Sequence, residues 1–193
     1  MDQEMKIAVL AVQGAFEEHI ARIRTLGAEC VELRQRADLE QDFAGLVLPG
    51  GESTVQGKLL RDLKMFEPLK IRITQGLPVF GTCAGLILLA EEICNEEGRE
   101  YFRTLPVRVR RNAYGRQLGS FHTMETVAGI GSVPMTFIRA PYIESVKPGV
   151  EILATVNDKI TAVRYGNQVG VAFHPELDPD NRMHEMFLDL CKI

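Results

Sequence analysis

Residues 6–12, Lys6-Ile7-Ala8-Val9-Leu10-Ala11-Val12, form a near-continuous apolar run with no polar alternation. A strand of that kind is covered on both faces, which implies a parallel sheet flanked by helices. Phe16, Ile20, Ile23 and Leu26 then recur at helical spacing, with Glu17, Glu18, Arg22 and Arg24 on the other side. Gly27 stands where a helix C-terminus favours glycine. Residues 30–33 and 46–48 read as the next two strands, the second ending at Pro49-Gly50-Gly51. Helical patterns cover 55–61 and 65–75, and Gly76 closes the latter. Val79-Phe80 is a fourth strand, and the pattern predicts a helix from Gly85 to about Ile93. Strand and helix alternating in this way call for right-handed crossovers.

Beyond the polar turn at 95–98 the texture changes. Short β-like runs occur at 107–110, 117–125, 136–139, 150–156, 160–165 and 168–172, with Asn157-Asp158 and Gly166-Asn167 as hairpin signals. Residues 182–191 form a closing helix with Met183, Met186, Phe187 and Leu190 on one face. The expected class is α/β: a three-layer, doubly wound, flavodoxin-like domain with a mostly parallel central sheet and an antiparallel extension. One domain spanning 1–193 is expected, since a chain of this size buries roughly 70% of its unfolded surface. Ligands of such sheets lie at the carboxyl ends of the strands. Gly51, Cys83 and His174 all follow expected strands.

Composition excludes several functions. The apolar fraction of 46% and charged fraction of 25% are those of a soluble globular protein. A formal net charge of −4 gives no basic footprint for nucleic acid. The densest apolar run, Leu86-Ile87-Leu88-Leu89-Ala90, is too short to span a membrane. The acidic start, Met1-Asp2-Gln3-Glu4-Met5, lacks the form of a signal peptide. Cys30, Cys83, Cys94 and Cys191 are widely separated, as in a reduced, cytoplasmic protein. His19, His122, His174 and His184 show no ligand spacing with them, so neither a metal nor a cofactor is expected.

Gly81-Thr82-Cys83-Ala84-Gly85 follows a short strand and precedes a helical run. That is the layout of a nucleophile elbow, whose middle residue is held in a strained conformation and exposed at the sheet's carboxyl edge. A thiol at a helix start needs a base, and His174-Pro175-Glu176 supplies an imidazole and a carboxylate to orient it. Proline keeps the preceding residue extended, and in an extended chain residues i and i+2 share a face. The expected chemistry is acyl transfer through a thioester. Its oxyanion needs fixed donors. The N–H of Ala84 is one candidate, and Gly51, in Pro49-Gly50-Gly51-Glu52-Ser53, is the other. The same stretch also reads as a strand-to-helix turn with Ser53 as N-cap.

These two segments resemble the class I (triad) glutamine amidotransferases. Four further stretches narrow the resemblance: residues 11–19 (Ala-Val-Gln-Gly-Ala-Phe-Glu-Glu-His), 49–54, 111–117 (Arg-Asn-Ala-Tyr-Gly-Arg-Gln) and 137–141. Together they are similar to the glutaminase subunits of pyridoxal 5′-phosphate synthase, from about Lys6 onward. The resemblance implies a triad of Cys83, His174 and Glu176. It also implies glutamine contacts at Gly51, Glu52, Ser53, Arg111, Ile138 and Arg139. A guanidinium such as Arg111 suits the α-carboxylate of free glutamine. A synthase subunit is the implied partner, in a twelve-plus-twelve assembly, with ammonia passed along a protected path. The segment around Gln13 to His19 is the expected contact surface. Three rivals remain on this fold. Thiol hydrolases or glyoxalases of the DJ-1/PfpI type place histidine directly after the cysteine, where this chain has Ala84. An amidotransferase subunit of another biosynthetic pathway is the closer one. A flavodoxin-like receiver would want paired acidic residues after the first strand, and Val12-Gln13-Gly14 has none.

Overall fold

The computed structural model describes residues 4–96, 101–111 and 120–192. The first half alternates as the apolar runs require: β1 (Lys6–Leu10), α1 (Phe16–Thr25), β2 (Glu29–Leu33), β3 (Gly45–Leu48), α2 (Ser53–Asp62), α3 (Phe66–Thr74), β4 (Val79–Thr82) and α4 (Ala84–Leu89). β1, β3 and β4 are almost entirely buried, consistent with strands covered on both faces. The second half comprises β5 (Ala90–Ile93), β6 (Leu105–Arg110), β7 (Ser120–Val127), β8 (Gly131–Ile138), β9 (Tyr142–Val146), β10 (Glu151–Val156), β11 (Lys159–Tyr165), β12 (Gln168–Val171) and α5 (Arg182–Leu190).

Among the described residues the main sheet runs β2-β1-β3-β4-β12-β11-β9-β6-β5, with β10 paired to β11. From β2 to β12 every neighbouring pair is parallel. The pairs β12–β11, β11–β9 and β9–β6 are antiparallel. The mostly parallel sheet with an antiparallel extension is therefore present as expected. β7 and β8 form a separate antiparallel ribbon. The Asn157-Asp158 hairpin turn is present, both residues at positive φ (50° and 62°), as a tight turn between twisted strands demands.

Two expectations need correction. The helix predicted from Gly85 to about Ile93 ends at Leu89, and residues 90–93 are a strand parallel to β6. Tertiary pairing overrides local helical preference here. The N–H groups of Phe102 and Thr104 take the Leu88 and Leu89 carbonyls at 2.9 and 3.0 Å, which closes the helix. β9 had no matching run in the sequence; it has little periodicity of burial and exists through its pairing with β6 and β11. The expected strand over 117–125 appears as β7, its first three residues lying outside the described ones.

α4 is buried along its whole length and lies directly over β3. A Cβ on Gly85 would stand 2.0 Å from the Leu48 carbonyl oxygen, so only glycine allows this approach. Gly85→Ala should therefore lower the unfolding free energy by about 2 kcal/mol or more. Chemical denaturation would read the loss, and an unchanged midpoint would contradict this packing.

Candidate active site

Cys83 links the end of β4 to the start of α4 at φ 50°, ψ −101°, a conformation that L side chains rarely adopt. The surrounding structure enforces it. The Cys83 N–H extends the sheet ladder to the Val171 carbonyl at 2.8 Å, while its carbonyl accepts from Ile87 in α4. Gly81 and Gly85 pack against each other so closely that a Cβ on Gly81 would lie 2.7 Å from the Gly85 oxygen. This is the elbow the pentapeptide implied.

β12 is the parallel neighbour of β4, with Val171 opposite Thr82. His174 leaves the end of β12 beside the elbow, and its N–H is fixed to the Thr136 carbonyl of β8 at 2.8 Å. Pro175 keeps His174 extended (φ −110°, ψ 83°). Glu176, however, does not reach the ring along an extended chain. Pro175–Leu177 is a 3-10 turn, closed by the Leu177 N–H on the His174 carbonyl at 3.2 Å, and this turn brings the carboxylate round. The outcome is the expected contact by a different path: Nδ1 of His174 lies 2.7 Å from Oε1 of Glu176. The Glu176 side chain is completely buried.

Burial by itself would depress the basicity of His174. Hydrogen bonding to Cys83 and to Glu176, with the charges of both, outweighs burial and holds its pKa up to about 10. The thiol, the imidazole and the carboxylate therefore act on one another in sequence, and the ring carries its proton through neutral pH. Cys83 and His174 are each 7% exposed, so this exchange takes place largely out of water.

The loop 49–53 closes over the ring. A Cβ on Gly50 would meet His174 Cε1 at 2.3 Å, so the loop backbone rests on the imidazole. Gln13 and Gln56 clamp it: Gln13 Oε1 accepts from the Glu52 N–H at 2.9 Å, and Gln56 Nε2 donates to the Gln13 and Pro49 carbonyls at 3.1 Å. Gly51 follows the residue that touches the ring, and Ala84 opens α4. Ser53 is not the N-cap. Glu52 holds that position without a side-chain cap bond, because the loop is tied by Gln13 instead; Ser53 Oγ is buried and has no hydrogen-bond partner. Glu52 accepts from Thr54 Oγ1 at 3.4 Å.

Ile138 ends β8, two residues from the Thr136 that anchors His174, and Arg139 follows at φ 44°. Arg111 follows β6 and donates from Nη1 to both oxygens of Glu96 (2.9 and 3.2 Å). Residues 112–117 of the Arg111 stretch lie outside the described residues. Sequence reasoning missed the interior roles of His19, Thr82, His184, Gln13 and Gln56. Within segment 13–19, the expected contact surface, Gly14, Glu17 and Glu18 are exposed, while Gln13 reaches the loop and His19 lies in the core. A signal for His19 existed: it shares the buried face of α1 with Ile20 and Ile23.

Among the described residues no group of His, Cys, Asp and Glu could hold a metal ion, and no helix is long and apolar enough to cross a membrane.

Because folding raises the pKa of His174, the stability its proton contributes is full below the ordinary value of 6.5. It fades as pH rises through about 10. An NMR titration should show the His174 ring protonated through neutral pH, with Glu176→Gln lowering its midpoint. A wild-type ring titrating at its ordinary value would contradict the coupling.

The chain is similar to known proteins along nearly its whole length. The model of the SNO glutamine amidotransferase family matches residues 9–193. A protein of Desulfitobacterium hafniense (strain Y51), named pyridoxal 5′-phosphate synthase subunit PdxT, is 66% identical over 96% of this chain and 92% of its own length. A protein of the same name from Haemophilus influenzae (strain PittEE) is 54% identical over 98% and 100%. A crystal structure described as a glutamine amidotransferase superposes with a TM-score of 0.92 at 41% identity, covering 97% of this chain and 99% of that one. With an elbow cysteine, a carboxylate-held imidazole at the same edge of the sheet, and a family model matching from residue 9 to residue 193, the chain belongs to the SNO glutamine amidotransferase family.

Proposed function

We propose that this chain is the glutaminase subunit of a pyridoxal 5′-phosphate synthase, with Cys83, His174 and Glu176 as its catalytic triad. The observation that carries the triad is the aligned, buried arrangement of elbow thiol, high-pKa imidazole and carboxylate. The relatives that share more than half of its residues over nearly its whole length carry that subunit's name.

The Cys83 sulfur attacks the side-chain carboxamide carbon of L-glutamine, and its oxygen becomes an oxyanion. The N–H groups of Ala84 and Gly51 receive that charge. His174 gives its proton to the amide nitrogen, the C–N bond breaks and ammonia leaves. Water then attacks the γ-glutamyl thioester while His174 takes its proton. The C–S bond breaks, and glutamate departs as the thiolate returns. Glu176 holds the ring so that Nε2 faces the sulfur, and stabilises the imidazolium. Arg111 exchanges the Glu96 carboxylate for the α-carboxylate of glutamine. Gly51, Glu52, Ser53, Ile138 and Arg139 complete the glutamine contacts. No cofactor takes part in this half of the reaction.

Ammonia released into water becomes ammonium and loses its nucleophilicity, so it travels by a protected path to a synthase subunit. That partner combines it with ribose 5-phosphate and glyceraldehyde 3-phosphate. Twelve glutaminase and twelve synthase subunits make up the assembly, in the cytoplasm.

The test is ammonia release from glutamine, with and without the synthase subunit. Cys83→Ala should reduce turnover by at least about a thousandfold with the fold retained. Residual turnover near that of the unaltered chain would refute the nucleophile. Arg111→Ala should raise KM for glutamine by about tenfold or more while kcat changes less, as loss of substrate binding requires. An unchanged KM would remove Arg111 from the substrate site.

A further inference from the structure

Two more imidazoles are sealed behind the triad. His19 on α1 and His184 on α5 have no exposed surface, and His19 Nδ1 lies 2.9 Å from His184 Nε2. The other nitrogen of His19, Nε2, stands 3.0 Å from Thr82 Oγ1 and 3.4 Å from Glu176 Oε2. Thr82 immediately precedes the elbow cysteine. The ring of Phe80, on β4, meets both imidazoles nearly at right angles, with centroids 6.2 and 5.6 Å away, and so fixes their planes. Nothing in the reaction scheme above uses this pair.

Burial holds His19 well below its usual basicity, reinforced by His184 and His174. Burial and then the charge of Arg22 push His184 down to about 4. Both rings are therefore neutral at working pH, and a neutral pair has a direction: one ring donates and the other accepts. If His19 donated from Nδ1, the proton of His184 would sit on Nδ1, a buried atom with no hydrogen-bond partner. An orphaned buried N–H is the rarer and costlier arrangement. In the opposite direction His184 Nε2–H donates to His19 Nδ1, and only an unshared lone pair is left at His184 Nδ1. The His19 proton then sits on Nε2 and points to Thr82 Oγ1 at 3.0 Å, beside Glu176 Oε2 at 3.4 Å, a buried carboxylate oxygen that has no hydrogen-bond donor. The assignment follows from satisfying the network as a whole.

We propose that His19, oriented by His184 and held on Thr82, is a positioning residue of the glutaminase, its ring packed 3.4 Å from Glu176 Oε2 so that the other carboxylate oxygen stays on His174. The charged and titratable groups facing this relay are His184 on α5, Glu176 on the 3-10 turn, His174 beyond it, and Arg22 on α1. Arg22 also donates from Nε to the Glu176 main-chain oxygen at 3.2 Å, so the residue is held from two sides. Without the His19 ring against Oε2, the Glu176 carboxylate turns from His174. The imidazolium then loses its proton at lower pH, and less of it faces Cys83 at neutrality. The inference rests on Cys83, His174 and Glu176 acting as proposed above.

The experiment measures glutamate formation from L-glutamine across pH, with the synthase subunit present, for the unaltered chain, His19→Leu, His19→Gln, His184→Phe and Cys83→Ala. His19→Leu should lower kcat by at least about tenfold with KM within about twofold, and move the basic limb of kcat/KM to lower pH. His184→Phe should act in the same direction. His19→Gln, whose amide N–H can replace Nε2–H, should recover most of the rate and return the limb. A second measurement, alkylation of Cys83 by iodoacetamide followed by peptide mass spectrometry, should slow in His19→Leu and His184→Phe at neutral pH. Cys30 and Cys191 compete little, because burial pushes their thiols up to about 11 and about 12. If His19→Leu does not fold, by circular dichroism, His184→Phe and the alkylation rates decide on the same criteria. Normal kcat, limb and alkylation in folded relay variants, with Cys83→Ala inactive, overturn the relay alone. An unaltered chain that fails to hydrolyse glutamine overturns the triad and the relay with it.

Discussion

The register of β4 against β12, with Thr82 opposite Val171, is the constraint on which the rest of the site depends. It sets the elbow one residue past the end of one strand and His174 three residues past the end of its neighbour. Because the two strands are parallel, both side chains emerge at the same edge of the sheet. A slip of one residue would turn each side chain to the opposite face and separate sulfur from imidazole. The Cys83 N–H, bonded to Val171, extends this ladder into the elbow itself, so the strained φ of 50° is held by the sheet and by glycines packed at van der Waals limits.

Electrostatics is layered on that frame. A fully buried carboxylate is costly unless donors surround it. Glu176 receives the His174 ring at one oxygen and faces His19 at the other, while Arg22 holds its main chain. The result is an imidazole that keeps its proton to high pH despite burial. The loop 49–53, clamped by Gln13 and Gln56 and resting on the ring through Gly50, ties the other side of the site to the first strand and second helix. β8 adds a third anchor, since its Thr136 carbonyl fixes the His174 backbone while its hydroxyl donates to Asp178 at 2.9 Å. Side chains from distant parts of the chain thus limit the motion of one imidazole from several directions.

Much of this was legible in the residues. The unbroken apolar runs identified β1, β3 and β4, because a strand buried on both faces leaves no polar alternation. Gly81 and Gly85 around Cys83 identified the elbow, and the hairpin at Asn157-Asp158 was written in residues that accept positive φ. Where local signals and tertiary pairing disagree, pairing wins. Residues 90–93 look helical but join β6 at the edge of the sheet, since tertiary pairing overrides the weak preference for helix. β9 carries too little pattern to be read without its partners.

By itself the sequence determined the alternating α/β class and the strained elbow at Cys83, because each depends on residues near one another in the chain. The tertiary structure alone decided how those pieces meet. Glu176 reaches His174 through a 3-10 turn and not along a pleat, and Ser53 lies inside α2 with Glu52 at its cap. Two histidines 165 residues apart share a hydrogen bond behind Glu176. Such contacts join side chains whose separation along the chain carries no periodic signal, and only the packing of α1 and α5 against β4 brings them within reach.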